Sequence, residues 1–279
     1  MRQDAIEQFE IKPAKGLTEG VTVSEERTSV EVIFFCKEHK ECRLLLYRDQ
    51  KLLKKIKMFP RKEAGAPDLF GVRLCGEEIV EELQGCEYVF EAEKQIFQDP
   101  YMRATGGRNR FGNKGKLRGK FDFSEFDWSG ELRKTIAFED MILYQCHLRG
   151  FTKHNSSGVK APGTFSGFCE KLGYLEKLGI NTVIFLPLYD FNERMEKQNG
   201  KINYWGYSGD ACYFAPKASY ASNPDNAVFE CKEMIKKMHK KGMNVLLDMH
   251  FDKCSPQFMI RCLRYYVTEY HVDGFLLNT

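Results

Sequence analysis

Up to about residue 100 the apolar positions alternate with polar ones. In "TSVEVIFFC" Val30, Val32 and Phe34 share one side, and in "CEYVFEA" Tyr88 and Phe90 do the same. A strand sends successive side chains to opposite faces, so this period of two predicts half-buried strands. "CRLLLY" and "LFGVRLC" read as further strands between turn signals. Together they predict an antiparallel β-sandwich over residues 1–102. After residue 138 the rhythm changes to short apolar runs separated by amphipathic stretches. "MILYQCHL", "NTVIFLP", "NVLLDMHF" and "VDGFLLN" predict four strands. In "TFSGFCEKLGYLEKLG" the residues Phe165, Phe168, Leu172, Leu175 and Leu178 form one helical stripe, with Gly179 as its stop. "NPDNAVFECKEMIKKMHKKG" opens with Asn223 and Pro224 as start signals and turns Val228, Cys231, Ile235 and Met238 inward. Ser255 and Pro256 open a last helix carrying Phe258, Cys262 and Tyr266. Strand–helix repetition over 139–279 requires a parallel sheet, either doubly wound or a (β/α) barrel.

Residues 103–138 carry no apolar period at their start, where "RATGGRNRFGNKGKLRGKF" interleaves glycine with basic residues. They read as a Gly/basic linker. Seven basic side chains fall between Arg103 and Lys120 with no acid among them. A phosphate-backbone surface is one reading of 103–120. It is disfavoured, because the whole chain balances 42 basic against 39 acidic residues and only Phe111 offers a stacking ring within the run.

No GxGxxG or GxxxxGK[ST] is present, so dinucleotide and P-loop chemistry lose their support and a barrel is favoured. Ten scattered cysteines include no CxxC pair, which argues against zinc or redox work; no metal and no cofactor are expected. The amino terminus lacks the apolar core of a signal peptide, and no apolar run approaches the ~18 residues of a membrane span. A cytoplasmic protein without a membrane partner is the expectation.

The stretch "YQCHLRGFTKHNSSGVKAPGTFSGFCEKLGYLEKLGINTVIFLPLYDFNE" (144–193) resembles the first two barrel strands of glycoside hydrolase family 13. Within that α-amylase superfamily it is similar to the glycogen-debranching, isoamylase and pullulanase branch. "NYWGYSGDACYFAPKASYA" (203–221) resembles that branch's loop after the second strand, and "NVLLDMHFDK" and "YHVDGFLLNT" fall on the family's first two conserved regions. "QDPYMRATGG" resembles the junction that follows a glycan-binding sandwich. The implied architecture is α/β plus all-β: an N-terminal β-sandwich followed by the first half of a TIM-type (β/α)8 barrel.

The resemblance implies retaining chemistry on α-glucosidic bonds, with an Asp nucleophile ending strand four and a Glu acid/base and a stabilising Asp on later strands. Here Asn278 stands at the nucleophile's position and Leu276 at that of the Arg beside it. A carboxamide is a poor nucleophile and supplies no anion, so neither catalytic position is intact. The chain also ends at Thr279, before any strand that would carry the acid/base, and four strands cannot close an eight-stranded barrel. The expectation is a catalytically impaired, α-glucan-binding protein.

For binding, Tyr204 takes the position of a ring that stacks on a sugar, with Trp205 and Tyr207 bracing its loop. Asp248 is the surviving cleft carboxylate; the bland alternative is a strand-end residue bonded to backbone. Asp252 and Lys253 replace the family's Asn and His. Asp248, His250 and Asp252 alternate as metal ligands would, but a repeat of ~6.8 Å per two residues spreads them too far for one ion. The partners expected are α-glucan or maltooligosaccharide, with a half barrel's exposed edge offering a seat to a second copy or a complementing chain.

Overall fold

The computed structural model describes residues 9–62, 65–113, 115–194, 202–207 and 210–278. Residues 1–8, Lys114 of the basic run, Ser208 and Gly209 of the loop, and Thr279 lie outside them. The chain divides into two compact units.

The first unit takes residues up to Gly107 together with Lys116–Phe123. Its strands are β1 (Glu10–Pro13), β2 (Gly20–Val23), β3 (Ser29–Phe35), β4 (Arg43–Arg48), β5 (Lys51–Lys57), β6 (Phe59–Arg61) and β7 (Ala66–Cys75), then, after the short helix α1 (Ile79–Leu83), β8 (Glu87–Ala92), β9 (Gln95–Phe97), β10 (Thr105–Gly106) and β11 (Arg118–Lys120). They pair into two antiparallel sheets. One runs β1-β7-β3-β2 with β6 beside β7, and the other runs β10-β11-β8-β4-β5 with β9 beside β8. The alternating residues Val30, Val32 and Phe34 are all buried, and they share one core with Leu44, Leu46, Tyr88 and Phe90 of the second sheet. Phe34 of β3 stacks on Phe90 of β8 with ring centroids 4.1 Å apart. The Tyr88 hydroxyl, at the buried end of that core, donates to Asp99 at 2.7 Å, so no polar tip is left unsatisfied there.

Two features of this unit differ from the sequence reading. "KLLKKIK" shows no clean alternation, yet it forms the edge strand β5 on β4, burying Ile56 and keeping Lys51 and Lys57 in solvent. Edge lysines are a common means of discouraging further strand pairing. The stretch read as a linker from 103 also contributes β10 and β11, with Gly119 registered against Tyr88. A β-carbon at Gly119 would come within 2.6 Å of the Tyr88 ring, so glycine is what lets this strand close over the aromatic core.

The second unit comprises Arg108–Gly115 and the chain from Ser124 onward. Its strands are β12 (Leu143–Cys146), β13 (Thr182–Phe185), β14 (Tyr189–Phe191), β15 (Ala211–Pro216), β16 (Asn244–His250) and β17 (Gly274–Asn278). Its helices are α2 (Leu148–Lys153), α3 (Phe165–Cys169), α4 (Leu172–Lys177), α5 (Ala227–Lys240) and α6 (Pro256–Tyr270). The sheet order β12-β13-β16-β17 is parallel throughout, while β14 and β15 make a separate antiparallel pair. The helices pack on the sheet through the faces that the 3.6 period selects. α5 buries Cys231, Met234, Ile235 and Met238, and α6 buries Cys262, Tyr266 and Tyr270. Ser255 caps α6 by accepting from the Phe258 amide at 3.3 Å, with Pro256 next in the first turn.

The single helix read over 164–179 is in fact two. α3 ends at Cys169, a turn through Glu170 and Lys171 follows, and α4 starts at Leu172, leaving Leu178 exposed. Glycines at 167 and 173 weaken a continuous helix. Gly167 also sits where a side chain would strike the Ala161 carbonyl, so close packing outranks helix propensity at that point. Val228, read as buried, is half-exposed. All ten cysteines are unpaired thiols, and seven of them are buried.

Removing the ring that joins the two sheets tests the first core. Phe90→Ala is expected to cost about 3–5 kcal/mol, read as a lower urea midpoint in a far-UV circular dichroism titration with the slope unchanged.

Candidate functional site

The parallel strands end at Cys146, Phe185, His250 and Asn278, and beside the first two of those ends lies a cavity of about 540 Å³. Gln145 and His147 of the first strand end, Leu186 of the second, and Tyr204, Trp205 and Tyr207 of the loop between β14 and β15 line it. Its walls are therefore chiefly aromatic faces with a few polar groups, the composition suited to a ring-shaped polar ligand.

Tyr204 is fixed in place by His147. The two rings stack with centroids 4.3 Å apart and planes 13° from parallel. The Gly150 amide donates to His147 Nδ1 at 2.9 Å, so that nitrogen carries a lone pair and the proton sits on Nε2. Nε2–H then donates to the Tyr204 carbonyl at 2.9 Å, with the Tyr220 hydroxyl at 3.2 Å. Burial pushes the His147 pKa below the ordinary imidazole value, and the neutral form is the one this geometry needs. Gly150 admits the tyrosine, since a β-carbon there would lie 2.9 Å from the Tyr204 hydroxyl. Phe111 and Trp205 meet Tyr204 edge-on at 5.7 and 5.2 Å.

Beneath the loop a buried charge cluster holds the β14–β15 pair. Lys217 is fully buried, with Nζ 2.8 Å from the Phe191 carbonyl, 2.9 Å from Glu193 and 3.4 Å from Asp190. Arg108 approaches the same Asp190 oxygen at 3.5 Å. Nothing in the sequence pattern flags this cluster, because Arg108, the Asp190 and Glu193 pair, and Lys217 come from three separate stretches of the chain.

Asp248 and Asn278 are brought together. Parallel pairing sets Asp248 opposite Leu276 and His250 opposite Asn278. The Asn278 amide donates to Asp248 Oδ1 at 2.6 Å, and the Tyr207 hydroxyl donates to Oδ2 at 2.7 Å. Asp248 is thus a buried strand residue held by two side chains, not by backbone as its bland reading held, and Tyr207 does more than brace the loop. Burial and the Asp248 carboxylate raise the Tyr207 pKa, which keeps the hydroxyl a donor. Leu276 is 39% exposed and makes no polar contact with Asp248. Of the four parallel strands' residues, Asp248 is the sole carboxylate, and both of its oxygens are occupied.

The alternation of Asp248, His250 and Asp252 does not converge. β16 ends at His250, and Asp252 lies exposed beyond it with its amide bonded to the Tyr213 hydroxyl. Among the described residues no group of three or more His, Cys, Asp or Glu side chains is arranged to hold a metal ion. Two side chains of the basic run, Arg108 and Arg118, are buried and paired, whereas Arg103, Arg110 and Lys116 are exposed. Arg108 meets Asp190, while Arg118 is bonded to Glu87 at 2.7 Å and Gln50 at 3.0 Å. Among the described residues no helix is long and apolar enough to cross a membrane.

Two measurements probe this geometry. Asn278→Asp replaces a donor by a second carboxyl group against Asp248, which holds one of the pair protonated to higher pH in the folded state. Its stability loss is therefore expected to deepen as pH rises through the carboxyl range, to about 1–3 kcal/mol near neutrality, seen in urea titrations at acid and neutral pH. The His147 contribution has the opposite sign. It is complete above the ordinary imidazole value of 6.5 and is lost as pH falls through the depressed folded value, so a nuclear magnetic resonance titration of the His147 ring should place its midpoint below 6.5.

Comparison with known proteins agrees with this arrangement. Residues 96–275 match the family model of the alpha-amylase catalytic domain. Isoamylase 1 of Oryza sativa subsp. japonica is 31% identical over 250 residues, covering 68% of this chain and 31% of that protein. Pullulanase from Bacillus acidopullulyticus superposes with a TM-score of 0.75 at 22% identity, over 95% of this chain and 38% of that one. The Group B Streptococcus pullulanase SAP, solved in complex with maltotetraose, gives a TM-score of 0.72 at 19% identity, over 95% of this chain and 42% of its own. The chain spans about a third of the length of the curated relatives it matches. It belongs to the α-amylase catalytic-domain family, glycoside hydrolase family 13, in the debranching branch that holds the isoamylases and pullulanases.

Proposed function

We propose that this chain binds α-glucan at the cavity beside Tyr204 and does not itself hydrolyse it. The observation that carries the reading is the Asn278–Asp248 contact. At the position where the family resemblance expects an attacking carboxylate there is an amide, and that amide occupies the neighbouring acid. Retaining hydrolysis needs an ionised nucleophile about 5 Å from a proton donor. Asn278 cannot attack as an anion, and Leu276 offers no guanidinium to orient a carboxylate. In this reading the four parallel strands, in sequence order across the sheet, are the first four β/α units of a TIM-type barrel, and the antiparallel unit is a glycan-binding sandwich.

What is retained is the means to hold a sugar ring. Tyr204 is backed by His147, so an aromatic platform is already ordered before ligand arrives, which lowers the entropy cost of binding. The maltotetraose complex of the streptococcal relative supports maltooligosaccharide as the ligand class. A second reading, in which the unit pairs with another chain, is favoured by the apolar side chains exposed on the two outer strands, Leu143 on β12 and Leu276 and Leu277 on β17. Light scattering separates the two, since a monodisperse monomer at micromolar concentration removes the pairing reading.

The purified chain is expected to release no reducing ends from pullulan or glycogen under steady-state conditions, while its migration in a native gel is retarded by amylopectin. Tyr204→Ala should weaken that retardation by roughly tenfold, the equivalent of about 1.4 kcal/mol. Sustained hydrolysis by the chain would overturn the proposal, as would undiminished glucan binding by the variant.

A further inference from the structure

Residues 124–137 run without a strand or an α-helix before β12, and most of the stretch is exposed. Its attachment to the second unit is concentrated in a few side chains. Phe126 packs edge-on against Phe229 of α5 at 5.4 Å, the Asp127 carbonyl accepts from Lys236 at 2.6 Å, and Trp128 stacks on His271 at 4.0 Å. Arg133 pairs with Asp273 at 3.0 Å.

At the centre stands His239, on the buried side of α5. Its Nδ1 is 2.6 Å from Glu131 of the strap, and its Nε2 is 2.9 Å from Asp273 at the entry to β17. Carboxylate oxygens accept and do not donate, so both contacts are hydrogen bonds only when both ring nitrogens carry protons. The geometry is that of an imidazolium clamped between two anions. The other oxygen of Glu131 takes the Nδ1 of His271 at 2.6 Å, and Asp273 Oδ2 also accepts from the Val245 amide at 2.8 Å. One proton thus ties the strap, through Glu131, to the base of the parallel sheet, through Asp273.

We propose that residues 124–133 are a strap latched by protonated His239 and released when that proton passes to solvent. A neutral ring keeps one N–H, so one of its two carboxylates then faces a lone pair and is repelled. The groups around His239 define the balance. Glu131, Arg133 and Asp127 come from the strap, and Asp273 and His271 from the turn before β17. On α5 itself, Lys236 and Lys240 lie toward Asp127, while Lys232 is taken by Glu269 of α6. Burial opposes the His239 charge, but the hydrogen bonds and charges of Asp273 and Glu131 outweigh it and raise its pKa above the ordinary 6.5. The latch is therefore complete below 6.5 and lost as pH rises through the raised value.

Trp128 reports on the latch, because Trp205→Phe leaves it as the only tryptophan of the two in the chain. In the full chain carrying that change, Trp128 emission from about pH 5.5 to 9 should show one transition with its midpoint above the unperturbed imidazole value. Hydrogen exchange at 124–133, corrected for intrinsic rates, should rise with it while far-UV circular dichroism stays constant. His239→Gln should remove the transition. Glu131→Gln, on the partly exposed strap, should move the midpoint down by about one pH unit, and it serves as the test should the buried variant fail to fold. Flat emission and exchange across the range would overturn the proposal. So would a transition unchanged in both variants, or one accompanied by loss of circular dichroism, which would mark unfolding of the whole unit.

Discussion

The carboxylate of Asp248 is buried inside a parallel sheet, and a buried carboxylate must find donors or destabilise the fold by several kcal/mol. It finds two, the amide of Asn278 and the hydroxyl of Tyr207. That requirement links the last strand, the strand before it and the loop after β14 into one polar unit. It also settles what Asn278 does: an amide donates to the acid beside it, where a second carboxylate would repel it. Asn278, at the end of β17, is thus one of the two residues that keep Asp248 satisfied.

The aromatic side of the site follows similar logic. His147 uses one nitrogen to cap the short helix that follows it and the other to hold the Tyr204 carbonyl, while its ring face supports the Tyr204 ring. Below, Lys217 and Arg108 neutralise Asp190 where solvent does not reach. Such a buried cluster is costly to desolvate and costlier to break, so the loop geometry is held by charges that must stay paired. The stacked platform at Tyr204 and the shape of the β14–β15 pair are consequences of one packing solution.

Much of the architecture could be read from periodicity because burial enforces it. The strands around Val30, Val32 and Phe34 and around Tyr88 and Phe90 each turn one apolar face into the shared core, and α5 and α6 carry an apolar stripe, α6 opening at Ser255–Pro256 as read and α5 one 3-10 turn after Asn223–Pro224, at Ala227. The pattern failed where burial is weak or where backbone contact overrides propensity. β5 is an edge strand whose lysines mask its period. β10 and β11 lie in a glycine-rich run whose role appears only when Gly119 meets Tyr88. The helix read across 164–179 breaks at Glu170–Lys171, between Gly167 and Gly173, two residues that weaken a continuous helix.

For the candidate site, order along the chain was sufficient to nominate Tyr204, Asp248, Leu276 and Asn278, since the motifs that carry the family resemblance are a property of sequence. The chemical identity of those residues, among them an amide at 278 and an aliphatic group at 276, is likewise determined by the sequence alone. Which groups touch was decided only by the tertiary structure. Parallel registration of β17 on β16 aims Asn278 at Asp248, the loop returns Tyr207 to the same carboxylate, and Glu131 meets His239 and His271 from 108 and 140 residues away. Hydrogen bonds and ion pairs act over a few ångströms, and that separation is set by folding, not by spacing along the chain.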